Sequence, residues 1–140
     1  MRVLVGVDGS EGSRRALRHA ADEALAHGGE LQALLAYAVP APMVAVGQAQ
    51  PPPRAEAAWR DEARELLERT VDATLGEHPD LEVSTAVVEG PAAGALIDAS
   101  RSADLLVVGT RGHGGFAGML LGSVSQHVAA HAACTVAVVR

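Results

Sequence analysis

A chain of 140 residues, 49% of them hydrophobic, is the size of one domain and has enough apolar content for a sizeable core. Its single cysteine, Cys134, excludes an internal disulfide and a thiolate metal cluster. All eleven basic residues are arginine, which excludes a lysine-based phosphate site of the P-loop or kinase type, and a net charge of −6 with 2% aromatics argues against nucleic acid as a partner.

With so few aromatics the core must be built from Val, Leu and Ala. Arg2 to Val7 is a nearly unbroken run of β-formers, the pattern of a strand buried on both faces. It begins directly after Met1, leaving no room for a signal peptide, and no apolar run reaches the ~18 residues of a membrane span. The expectation is therefore a soluble cytoplasmic protein with no membrane contact. Ser10 to His27 is a predicted helix with Ala16, Leu17, Ala20, Ala21, Ala24 and Leu25 on its apolar side and Gly28-Gly29 as its stop. Leu31 to Val39 is the second strand. Residues 40–54 hold five prolines and read as an irregular loop.

Ala55 to Leu75 is a predicted amphipathic helix, with Trp59, Ala63, Leu66, Leu67 and Val71 on one side and a charged, solvated face opposite. Leu81 to Val88 is the third strand. Gly90-Pro91 then starts a short helix through Arg101, with Pro suited to the first helical position. Leu105 to Val108, Ser123 to His131 and Thr135 to Val139 are the fourth strand, the last helix and the fifth strand. Strands separated by helices predict one α/β domain over residues 1–140: an open five-stranded parallel sheet, right-handed crossovers and helices on both faces.

The densest chemical signal follows the fourth strand. Gly109-Thr110-Arg111-Gly112 leads through a glycine-rich stretch to Gly122-Ser123, and Ser123 with Gln126 three residues later has the form of a capping box. A buried strand, a glycine-rich loop and a helix start together form an anion-binding device: glycines admit a close approach, and the helix N–H groups and dipole point at the anion. Arg111 and His113 are the cationic candidates inside it. In open parallel sheets ligands sit beyond the carboxyl ends of the strands where strand order reverses. Asp8 and Ala36 stand at two further strand ends, so three ends are expected to wall one pocket. Asp8 also suits a helix cap, a role compatible with a place in the pocket wall.

The spacing Gly109-x2-Gly112-x9-Gly122-Ser123 resembles the ATP-binding signature of the universal stress protein family. The resemblance extends over Val5-Gly6-Val7-Asp8-Gly9-Ser10, over Leu31 to Tyr37, over Val88-Glu89-Gly90-Pro91 and over Ala103 to Gly109. It implies a Rossmann-like fold of the adenine nucleotide alpha hydrolase-like type. It also implies an adenine slot lined by Gly6, Val7 and Ala36, with Asp8 on the ribose or adenine. Val108, Gly109, Arg111, Gly112, His113, Gly122, Ser123, Val124 and Ser125 would surround ribose and phosphates. The implied ligand is ATP, with Mg2+ or Mn2+ bound through its phosphates, and the implied assembly is a homodimer through strand 135–140. Leu35, where many members carry His, and Thr135, in place of a common Pro, depart from the pattern.

Three functions fit these residues: a dimeric nucleotide-dependent regulatory module of the stress response with protein partners, a slow ATPase or phosphotransferase using the same pocket, or a nucleotide-free interaction module. Phosphoryl transfer usually needs clustered positive charge and a positioned base, and the motif offers few of either. His127 and His131 have a metal-compatible i, i+4 spacing but no adjacent carboxylate, and read as solvent-facing. Cys134 reads as buried rather than reactive.

Overall fold

Along the first strand, Val3, Val5 and Val7 point into one hydrophobic core and Leu4 into another. This two-sided alternation organises the whole fold. The computed structural model of the chain describes residues 1–39, 53–112 and 121–140. The strands are β1 (Arg2–Gly6), β2 (Glu30–Tyr37), β3 (Glu82–Glu89), β4 (Leu105–Gly109) and β5 (Thr135–Val139), and the helices are α1 (Glu11–Ala26), α2 (Pro53–Leu75), α3 (Ala92–Ser100) and α4 (Ser123–His131).

All strand pairings are parallel, in the order β3-β2-β1-β4-β5. Val3 lies beside Leu31 of β2 on one side and Leu105 of β4 on the other, so β1 is central and β3 and β5 are the edges. The first core joins Val3, Val5, Leu31, Leu35 and Val107 to Ala16, Leu17 and Ala20 of α1 and Ala63, Leu67 and Val71 of α2. The second joins Leu4, Leu34, Leu106 and Val108 to Leu96 of α3 and Val128 of α4. Helices thus cover both faces, and the fold is the expected Rossmann-like α/β architecture. No helix among the described residues is long and apolar enough to cross a membrane.

Several local expectations are corrected. Leu25 is 47% exposed, because the stripe that α1 buries ends with Ala20, Ala21 and Ala24 and leaves Leu25 at its margin. Trp59 (39%) and Leu66 (37%) are also exposed, and α2 buries the narrower row Ala63, Leu67, Thr70 and Val71. α2 starts at Pro53, whose fixed φ and missing N–H suit a first helical position. Pro91 has extended backbone and is the N-cap of α3 rather than its first residue. The predicted 40–54 loop falls, up to residue 52, outside the described residues.

His127 and His131 are exposed, as expected of a solvent-facing pair, with ring centroids 5.6 Å apart. Cys134 is only half-buried, against the second core, and its partial burial pushes the thiol pKa upward.

Candidate functional site

Strand order reverses between β1 and β4, and a cavity of about 360 Å³ opens at their carboxyl ends. That volume lies within the ~300–1,000 Å³ range of small-ligand sites, and its position is the switch point where such sheets place ligands. All twelve predicted site residues that fall in the described segments line it: Gly6, Val7, Asp8, Ala36, Val108, Gly109, Arg111, Gly112, Gly122, Ser123, Val124 and Ser125. His113 lies outside the described residues.

One end of the cavity is apolar. Leu34 and Ala36 alternate onto the same face of β2, Val108 rises from β4, and Leu96 and Ala92 of α3 close the side. Gly6 leaves this end open, because a Cβ there would stand 3.0 Å from Leu96 Cδ1. Val7 contributes backbone only, since its side chain is buried in the first core. Leu35 also packs in that core, so its departure from the family pattern lies on the far side of the sheet.

The β1–α1 turn forms a second wall. Gly9 adopts φ +82°, a conformation L side chains rarely take, and turns the chain so that Ser10 caps α1. Ser10 Oγ accepts the Ser13 N–H (3.2 Å) and donates to Asp8 Oδ1, while the Ser10 N–H donates to the same carboxylate oxygen (2.9 Å). The buried Ser13 hydroxyl accepts the Asp8 N–H (3.3 Å) and donates to the Ser10 carbonyl (3.0 Å). Capping α1 is therefore the task of Ser10, and Asp8 is oriented by the cap with its other oxygen, Oδ2, against Gly112.

The third wall is the glycine motif, closed at its base by Thr110. The Thr110 N–H donates to the Val139 carbonyl (3.0 Å), while its own carbonyl accepts the Gly122 N–H (2.6 Å) and the Ser125 hydroxyl (2.8 Å). The exit of β4 is thereby tied to the entry of α4. The expected capping box is corrected: the N-cap is Gly122, Ser123 is the first helical residue, and no side chain caps the helix. The Gln126 amide reaches back only to the Leu121 carbonyl, at 3.5 Å. The physical reason is that Thr110 draws the chain in one residue earlier, so that Gly122 takes the extended conformation of a cap. The first intrahelical bond runs from the Gln126 N–H to the Gly122 carbonyl (3.0 Å). The preceding N–H groups of Ser123, Val124 and Ser125 carry the positive end of the helix dipole at the cavity wall.

Ser125 is buried, and its hydroxyl serves the Thr110 and Gly122 carbonyls, so its contribution to the cavity wall is chiefly backbone. Gly109, Gly112 and Gly122 are not at positive φ, so their absent side chains matter for space rather than for conformation. Among the described lining residues, Arg111 is the one cation and Asp8 the one carboxylate. Among the described residues there is also no group of three or more His, Cys, Asp or Glu placed to hold a metal ion.

Sequence reasoning missed Ser10, Ser13, Leu34, Ala92 and Leu96. Leu34 was accessible from the period-two alternation that pairs it with Ala36. The α3 residues were not, because which helix covers which face depends on strand order.

The model of the universal stress protein family matches residues 1–140, and the chain belongs to that family. It is 38% identical over 138 residues to a universal stress protein of Mycolicibacterium smegmatis, an alignment that takes in 99% of this chain and 45% of the relative. The chain thus spans less than half the length of that relative. Among solved structures, the universal stress protein UspA of Lactobacillus plantarum superposes with a TM-score of 0.74 at 22% identity, covering 100% of this chain and 97% of that one. A universal stress protein in complex with cAMP superposes with a TM-score of 0.72 at 28% identity, with the same coverages of 100% and 97%.

Proposed function

We propose that residues 1–140 form a single universal stress protein domain that binds ATP and acts as a dimeric, nucleotide-dependent regulatory module of the cytoplasmic stress response. The observation that carries this reading is the glycine-capped start of α4, clamped to the end of β4 through Thr110 at the switch point of the sheet. Its first-turn N–H groups are suited to phosphate oxygens, and the apolar end beneath Leu34, Ala36 and Leu96 suits a purine base. Asp8 stands between the two, where a ribose would lie. The cAMP complex of a 28% identical relative supports an adenine nucleotide as the ligand class.

The polar residues fit the triphosphate better than they fit its metal. Arg111 and the α4 N-terminus offer donors to anions, whereas Asp8 is the one carboxylate on the described walls. Mg2+ or Mn2+ would therefore be held mainly by the phosphates. The same scarcity of charged groups favours binding over phosphoryl transfer, which depends on clustered cations and a positioned base. Protein partners would then read the nucleotide state.

Mass spectrometry of the small molecules released on denaturing the purified protein tests the reading. ATP in near-stoichiometric amount is the expected result. Protein that emerges free of nucleotide and does not take up added ATP would leave an interaction module as the better description.

A further inference from the structure

The first turn of α1 touches the nucleotide loop backbone to backbone. A Cβ on Gly12 would stand 2.7 Å from the Arg111 carbonyl oxygen, and a Cβ on Gly109 would stand 2.9 Å from the Gly12 carbonyl carbon and oxygen. Both separations are shorter than real Cβ contacts, and in both the obstacle is main chain, which cannot rotate away. Gly109 belongs to the glycine motif. Gly12 does not, and nothing in the motif's spacing points to it.

We propose that Gly12 is a positioning residue for the anion-binding arm of the site, acting through Arg111; this rests on the nucleotide reading above. The two sides of the contact are unequally anchored. α1 is fixed by the Asp8–Ser10–Ser13 hydrogen bonds at its start and by Ala16, Leu17 and Ala20, all fully buried, along its length. On the other side, the clamp of hydrogen bonds is made by Thr110, one residue before Arg111. A side chain at position 12 therefore displaces Arg111 and Gly112 rather than the helix. These two residues carry the cavity's guanidinium and the close approach to Asp8, so the displacement falls on the ribose and phosphate end. The nearest atoms to a Cβ at Gly12 belong to Arg111 and Arg15, not to the apolar end built by Leu34, Ala36, Leu96 and Val108. Gly12 itself is not at positive φ, so alanine meets no conformational penalty there and the effect is one of space alone.

The test compares wild type with Gly12→Ala and with a control, Gly94→Ala, on α3, where an added Cβ meets nothing within 4 Å. Amide spectra of the nucleotide-free proteins and calorimetric titrations with ATP and with adenosine are the measurements. Gly12→Ala is expected to move the Arg111 and Gly112 amide signals and to weaken ATP about tenfold, since small misplacements of binding groups cost large factors. Adenosine should lose clearly less, about threefold at most, because the base is held by groups outside the displaced segment and only its ribose meets the Asp8–Gly112 contact. Gly94→Ala should change none of these. Unmoved amide signals in Gly12→Ala, or an equal loss for ATP and adenosine, would overturn the assignment. Wild-type protein that binds neither ligand would refute the nucleotide reading, and the amide signals would then decide the role of Gly12 alone.

Discussion

Asp8 and Gly112 are in direct contact: Oδ2 of the Asp8 carboxylate occupies the space that a Cβ at position 112 would need. One comes from the turn after β1 and the other from the loop after β4, so this contact joins two walls of the cavity. Gly112→Val is expected to push the carboxylate out of place and abolish nucleotide binding. Neither the first core around Leu17 nor the second around Leu4 and Leu106 is touched, so the fold should survive. Calorimetry with ATP, alongside circular dichroism, checks both halves. Wild-type affinity in the variant would remove the Asp8–Gly112 contact from the site.

Gly122 gives a contrasting case. A Cβ there would meet the Arg111 Cα and the Thr110 carbonyl at 3.4 Å, a van der Waals separation. Gly122→Ala should therefore fold normally, and Gly122→Val should block the phosphate end of the cavity. A melting temperature equal to wild type, with ATP-induced stabilisation lost in the valine variant, is the expected pattern.

Holding Ser10 and the proposed ribose contact are separable roles of Asp8. Its Oδ1 holds Ser10, which both Asp and Asn can do through a side-chain oxygen. Asp8→Asn should keep the α1 cap and lose the charge, weakening ATP and AMP equally by roughly 1–3 kcal/mol if a charge-assisted bond to ribose is lost. Asp8→Ala should add a loss of stability on the order of 1 kcal/mol from the broken turn. A loss in Asp8→Asn seen with ATP and not with AMP would point to the phosphates or their metal instead.

β5 is an edge strand with no charged side chain, followed directly by Arg140, and such edges invite pairing. A two-fold axis would pair it with a second copy of itself. The bond from the Thr110 N–H to the Val139 carbonyl sets the phase: Val139 and Ala137 turn their peptide groups toward β4, and Val138 and Val136 turn theirs outward. Val138→Pro removes an outward donor and should convert a homodimer of twice 14.3 kDa to monomer. Ala137→Pro breaks the internal ladder and should mainly lower stability. Light scattering that finds monomeric wild type, or a dimer indifferent to Val138→Pro, would contradict the edge-to-edge assembly.

Cys134 offers a chemical check on the second core. Burial raises its thiol pKa, so alkylation near pH 8 should be slower in the native protein than in urea. The raised value means that the folded state holds the proton more tightly. The associated stability is therefore complete below the ordinary thiol pKa and lost as pH rises through the folded one. Equal native and denatured alkylation rates would place the thiol in open solvent.

The strands were legible because Val- and Leu-rich runs between turn residues have few alternatives, and the cavity because glycine spacing and strand ends mark it locally. What was not legible depends on partners distant in sequence. Trp59 and Leu66 have helical spacing with Ala63, yet the first core accepts only the row through Leu67 and Val71. The cap of α4 moved from Ser123 to Gly122 because Thr110, a dozen residues earlier, claims the Gly122 amide. Gly12 occupies an ordinary place in a helix's first turn, and only the Arg111 carbonyl packed against it, 99 residues away in sequence, sets it apart.

Phosphate binding at the start of α4 is decided by calorimetry that compares ATP with adenosine on the wild-type protein. Phosphates held by the Ser123–Ser125 N–H groups and Arg111 should make ATP bind at least about tenfold more tightly, about 1.4 kcal/mol. They should also make that margin shrink with added salt. Equal affinity for the two ligands, or a margin insensitive to salt, would contradict it.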